Sequence, residues 1–168
     1  SFFTLSSHSP YDIPGFKKNI QWPEIEKDYV NAVYYADSCL GDFIKKATKE
    51  KWFANTLFVL ISDHSHSSYR KTESWSKSYQ HIPMLMFGDV IKEEYQGTQC
   101  VKYGSQIDLA NTLMTQLNLD TKSFKWSKNL LNSTTANFAY YSCENGFGWV
   151  CPEGYYFYDY TLNQFLEN

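Results

Sequence analysis

Asp63 and His64 are the pair best suited to chemistry in this chain, because they directly follow the apolar run from Thr56 to Ile61. That run has the length and β-branched content of a buried strand, and open α/β sheets carry their chemistry just past the carboxyl ends of such strands. A carboxylate beside an imidazole offers a hard oxygen and a nitrogen, a donor set suited to Zn²⁺ or Mn²⁺. The plain alternative is a surface Asp capping a loop beside an incidental His. Neighbouring side chains on an extended strand point to opposite faces, so both reach one ion only if the chain turns there. Two ligands are also too few for a tight site, and at least one more must come from elsewhere.

The other histidines fall in comparable places. His8 follows a short predicted strand over residues 2–6, His66 lies two residues past His64, and His81 precedes the apolar run 82–87. Histidines just past the ends of separate strands converge at one rim when those strands are parallel neighbours joined by a crossover helix. Arg70, the single arginine, lies with Lys71 and Lys77 in a polar stretch from Ser62 to Gln80. An arginine there suits an anionic ester, which it clamps with two parallel hydrogen bonds; an ordinary solvated loop cation is the competing reading. No GxSxG elbow, P-loop or GxGxxG occurs, and spacing supports no Ser/His/Asp triad.

The elements that must position these residues follow from periodicity. A helix begins near Pro23-Glu24, with Tyr29, Val33, Ala36, Leu40, Phe43 and Ala47 forming one apolar stripe. Lys45 and Lys46 suit the negative end of its dipole. Cys39 falls in this helix and reads as core. Residues 56–61 and 82–87 read as buried strands and 99–101 as a short one. Ser105 and Asp108 open a second helix as a variant capping box, with Ile107, Leu109, Leu113, Met114 and Leu117 on its apolar face. From 137 to 160, aromatics alternate with turn signals at Asn145-Gly146 and at residues 152–154, which predicts a three-stranded antiparallel meander. Its tyrosine-rich faces suit either cross-strand packing or stacking on sugars. Cys143 and Cys151 flank a predicted hairpin, so a cross-strand disulfide and two unpaired thiols both stay open. The order is α/β with an antiparallel appendage, and residues 1–168 read as a single partial domain with the meander at 137–160.

Composition removes several classes. With 168 residues the chain can bury a core. A net charge of −3 without a basic block argues against a nucleic-acid partner. No apolar stretch approaches the roughly 18 residues of a membrane span, so the chain itself reads as soluble. The start at Ser1, without Met and inside a predicted strand, reads as a piece of a longer protein.

Five blocks then fall in a telling order: LSSHSPY at 5–11, YADSCLGDFI at 35–44, NTLFVLISDH at 55–64, HIPMLMF at 81–87 and SQIDLANTL at 105–113. Together they resemble the C-terminal half of the sulfatase group of the alkaline phosphatase superfamily, and most of all the phosphoglycerol transferases of lipoteichoic acid synthase type. The resemblance implies the C-terminal part of a mixed, mostly parallel sheet flanked by helices. It matches Asp63 and His64 to the late Asp-His metal-ligand pair, and His8 to the histidine that lines the substrate anion; His66 and Arg70, which the resemblance does not place, are candidate anion contacts from their position in the loop after the strand. It implies a divalent cation, Mn²⁺ first, with Zn²⁺, Mg²⁺ or Ca²⁺ as alternatives. The substrate would be an anionic sulfate or phosphate ester, a sulfated glycan or a phosphoglycerol lipid. The parent would be an extracytoplasmic, cell-envelope or membrane-anchored hydrolase or transferase. Its nucleophile and early acidic ligand belong to an N-terminal half, so the piece is expected to be inactive alone. Ser65 departs from the family's Gly after the Asp-His pair. The alternative class is a non-catalytic folding or glycan-binding module derived from the same superfamily.

Overall fold

The computed structural model describes residues 1, 3–13, 15, 20–66 and 73–167, which fall into two compact units. The first holds the described residues up to Ile61 together with Pro83–Glu94; the second holds those from Ser62 to Ile82 and from Tyr95 onward.

The first unit is built on helix α1, Glu24–Ala47. Glu24 and Glu26 lie in its first turn and Lys45 and Lys46 in its last, so both ends oppose the helix dipole. Asn31, buried on this helix, ties the preceding chain down: its Oδ1 accepts from the Ile20 N–H at 2.8 Å, and its Nδ2 donates to Lys27 O at 2.8 Å. Strands β1, Phe58–Ile61, and β2, Met84–Phe87, pair with Phe58 opposite Phe87 and Ile61 opposite Met84. The Phe58 and Phe87 rings stack at 4.9 Å, and Phe43 of α1 meets Phe58 edge-on at 6.4 Å. Gly88 leaves β2 at φ 135°, where a Cβ would lie 2.3 Å from Thr56 O; only glycine fits.

Several expectations need correction here. The β1–β2 pair is antiparallel, and no parallel pair occurs among the described residues. A parallel return needs a crossover, usually a full helix. The described chain between β1 and β2 offers only the four-residue helix α2, Lys77–Gln80. Residues 3–5 form no strand, and Phe3 and Leu5 are exposed, with no neighbour among the described residues completing a ladder. Cys39 is exposed rather than core: it lies two turns from the buried Ala32 on nearly the same face of α1, and no described residue covers that turn of the helix.

The second unit contains α2, helix α3 at Asp108–Gln116, and a meander of four strands, one more than expected. These are β3, Ala139–Cys143; β4, Gly146–Cys151; β5, Gly154–Asp159; and β6, Gln164–Glu167. Its core is Val150, Tyr155 and Phe157, with Trp75, Tyr103 and Tyr141 packed against them. Trp75 stacks on Phe157 at 5.4 Å. The Tyr141 and Tyr155 hydroxyls lie 2.8 Å apart and both donate to Trp75 O. Burial, followed by the Tyr155 hydroxyl, pushes the Tyr141 phenol well above its ordinary range, so it stays a neutral donor. Gly148 lies under the Tyr141 ring, where a Cβ would come within 2.0 Å.

The turn between β3 and β4 uses Glu144 and Asn145, so Gly146 already belongs to the strand. It is glycine for closeness, since a Cβ there would lie 2.1 Å from Tyr158 O. Cys143 and Cys151 are free thiols. Cys143 pairs with Gly146, five residues from Cys151 along β4, which at about 3.3 Å per residue is far beyond disulfide reach.

Residues 99–101 form no strand. Helix α3 buries a polar stripe instead of the expected apolar one: Asp108 and Thr112 are 2% and 1% exposed, while Ile107 and Leu117 are outside. Asp108 accepts from the Lys128 N–H at 2.9 Å and from Lys128 Nζ. Thr112 Oγ1 accepts from the Leu130 N–H at 3.0 Å. The 127–130 segment covers this face and satisfies it, which is the condition for burying a carboxylate. The expected capping box is half present, with the Ser105 N–H donating to Asp108 Oδ2 at 2.8 Å.

Candidate metal centre

Beyond Ile61 the chain does turn. The His64 N–H donates to Asp63 Oδ1 at 2.9 Å, and Ser62 Oγ donates to His64 O at 2.5 Å. The two side chains that an extended strand would separate therefore lie together, with Asp63 Oδ2 3.6 Å from His64 Nε2. An ion bonded tetrahedrally to both at about 2.1 Å would hold them about 3.4 Å apart. Both side chains are open to solvent, at 64% and 73% exposure.

His64 Nδ1 lies 2.7 Å from Ser65 O. A carbonyl only accepts, so this contact places the proton on Nδ1 and leaves the Nε2 lone pair facing the carboxylate. In the neutral ring, two bare acceptors then face each other, and a cation reconciles them. A backbone carbonyl on the far ring nitrogen is also the usual support of a metal-binding histidine. The Ser65 hydroxyl is buried with no hydrogen-bond partner among the described residues. The donor set thus fits a divalent cation as a partial site. Among the described residues, no third His, Cys, Asp or Glu joins it.

The remaining candidates are placed differently. His66, half-buried, belongs to the same unit as Asp63 and His64. His8 belongs to the first unit, in a tight turn where its N–H donates to Leu5 O at 3.0 Å and its carbonyl accepts from the Tyr11 N–H at 2.8 Å. Its Nδ1 lies 2.6 Å from Ser9 O, the arrangement seen at His64. Arg70 and Lys71 lie outside the described residues. His81 is exposed and lines an open groove of about 590 Å³ in the second unit with Lys77, Tyr103 and Tyr155; Asp63 and His64 take no part in it.

One residue was not foreseen. Gln106 Nε2 donates to Ser62 O at 2.9 Å and to Asp63 O at 2.8 Å, so an amide from the segment before α3 grips the backbone of the Asp-His turn. The only sequence signal was its place in the SQIDLANTL block, which assigns it no role.

An α/β chain with this arrangement falls in the alkaline phosphatase superfamily. A crystal structure of a protein of that superfamily from Vibrio parahaemolyticus matches 99% of this chain and 42% of its own, with a TM-score of 0.74 and 26% identity. The family model described as Sulfatase matches residues 1–119, and the chain belongs to that family. It is similar to the lipoteichoic acid synthase-like protein YvgJ of Bacillus subtilis, 27% identical over 157 residues that cover 83% of this chain and 25% of the relative. A lipoteichoic acid synthase of Staphylococcus saprophyticus is 21% identical over 133 residues, 72% of this chain and 21% of that protein. The chain spans about a quarter of the length of these curated relatives.

Proposed function

We propose that this chain supplies the late half of the metal site of an enzyme that hydrolyses or transfers a sulfate or phosphate ester. The observation that carries the reading is the 3.6 Å approach of Asp63 Oδ2 to His64 Nε2, with the far ring nitrogen held by Ser65 O. Asp63 would give an anionic oxygen and His64 a neutral nitrogen, which suits Mn²⁺ first and Zn²⁺, Mg²⁺ or Ca²⁺ next. When bound, the cation offsets charge developing on the ester oxygens and activates a nucleophile.

His8 is assigned to the transferred anion, which it would bind, or whose leaving oxygen it would protonate, as an imidazolium with a second proton on Nε2, since the Nδ1 proton faces Ser9 O. His66 and Arg70 are assigned to the same anion as hydrogen-bond donors. The nucleophile and the remaining ligands belong to the N-terminal half of the parent, so the chain by itself gives no turnover. The relatives' names favour a phosphoglycerol lipid over a sulfated glycan, and an extracytoplasmic parent. No helix among the described residues is long and apolar enough to cross a membrane.

Calorimetry with Mn²⁺ tests the metal assignment. Weak binding is expected for the chain, and Asp63→Ala should abolish it. Binding that survives this substitution would place the ion elsewhere and remove the reading.

A further inference from the structure

We propose that Gln106 is the positioning residue of the Asp63–His64 turn, and that its side-chain amide sets the separation of the two metal donors. The proposal rests on the metal reading given above. In an extended strand, successive carbonyls point in opposite directions. One amide nitrogen donates to both Ser62 O and Asp63 O, at 2.9 and 2.8 Å, and that requires the two carbonyls to converge. The NH₂ group has two hydrogens, one for each carbonyl. Gln106 thus selects the turned backbone over the extended one. The turn is what brings the carboxylate and the imidazole to one side and lets Ser65 O reach His64 Nδ1.

Gln106 is itself held on both sides. The neighbouring Ser105 Oγ donates to Tyr140 O at 2.6 Å and accepts from the Tyr140 N–H at 2.8 Å, which fastens this segment to strand β3. The Ser105 N–H donates to Asp108 Oδ2, and Asp108 is buried against Lys128. A path therefore runs from a buried ion pair by a hydrogen bond to Ser105, along the backbone to Gln106, and by its side-chain amide to the two carbonyls behind the metal donors. Outer partners of this kind change metal affinity about 10- to 100-fold when removed.

The competing view is that Gln106 merely stitches a loop to a helix and stabilises the fold. Gln106→Met in the full chain separates the two, since methionine keeps the length and loses both donors. Its Mn²⁺ affinity should fall at least about tenfold, with the melting temperature unchanged. Two-bond ¹H–¹⁵N correlation spectra of the metal-free chain should show His64 fixed with the proton on Nδ1, and that preference should disappear in Gln106→Met. Gln116→Met, the same change at an exposed glutamine of α3, should alter neither. If Gln106→Met does not fold, Gln106→Asn, one methylene shorter, should show the same two losses. Unchanged affinity and an unchanged His64 tautomer, in a chain where Asp63→Ala abolishes Mn²⁺ binding, would overturn the positioning role alone. Binding that persists in Asp63→Ala would instead remove the metal reading beneath it.

Discussion

The two units differ in the apolar cluster they bury. Both leave large apolar side chains exposed, Trp126 and Val101 of the second among them, but among the described residues a buried cluster forms in the second. In the second, Val150, Tyr155 and Phe157 are sealed behind Trp75, and even the polar face of α3 is covered and paired. In the first, Ile25, Val33 and Phe43 of α1, and Ile61, Met84 and Leu85 of the strands, stay exposed. Phe3 is 80% exposed. A sheet with open faces and a helix with an unburied stripe are surfaces that further chain ordinarily covers. The contrast assigns different tasks. The second unit carries its own core and also holds the turn with Asp63 and His64. The first leaves apolar side chains of its helix and strands open.

The largest effect should come from breaking the sealed side. Phe157, fully buried, should cost about 3–5 kcal/mol as Phe157→Ala, measured by urea unfolding. A smaller effect follows from the phenols over Trp75 O. Burial holds the folded Tyr141 pKa above the unfolded value of about 10. Its contribution is therefore complete below that value and is lost as pH rises above it. Unfolding titrations should show stability falling from about pH 10 upward, and Tyr141→Phe should flatten that fall. The smallest effect belongs to the open side. Leu85 is 56% exposed, and Leu85→Ala should change stability by less than about 0.5 kcal/mol while reducing self-association in light scattering. A large loss at Leu85 together with a small one at Phe157 would reverse the comparison.

The same contrast marks how far the sequence could be read. The Asp-His pair after an apolar run, the long helix from Glu24 and the aromatic meander are local patterns, and each was legible from a few consecutive residues. What depended on distant partners was not. A strand does not encode its neighbour's direction, so the antiparallel pairing of β1 with β2 was invisible in 56–61 and 82–87. The α1 stripe gives the period of the helix but not which of its turns are covered, so Cys39 stays outside although it shares a face with the buried Ala32. Asp108 read as a capping residue because a carboxylate is rarely buried unless paired, and its pair, Lys128, lies 20 residues away. Gln106 carried no role within its block, since its partners Ser62 and Asp63 are 44 and 43 positions removed. Ser65, expected only as a departure from the family's glycine, gained meaning once its carbonyl was seen behind His64.

Pulsed electron paramagnetic resonance of Mn²⁺ added to the chain addresses the donor pair most directly, because it reads the ligand nitrogen itself. The spectrum should show coupling to one imidazole nitrogen, and His64→Ala should remove that coupling while His81→Ala leaves it intact. A nitrogen coupling that is absent from the unmodified chain, or that survives His64→Ala, would contradict the assignment of Asp63 and His64 as the metal donors.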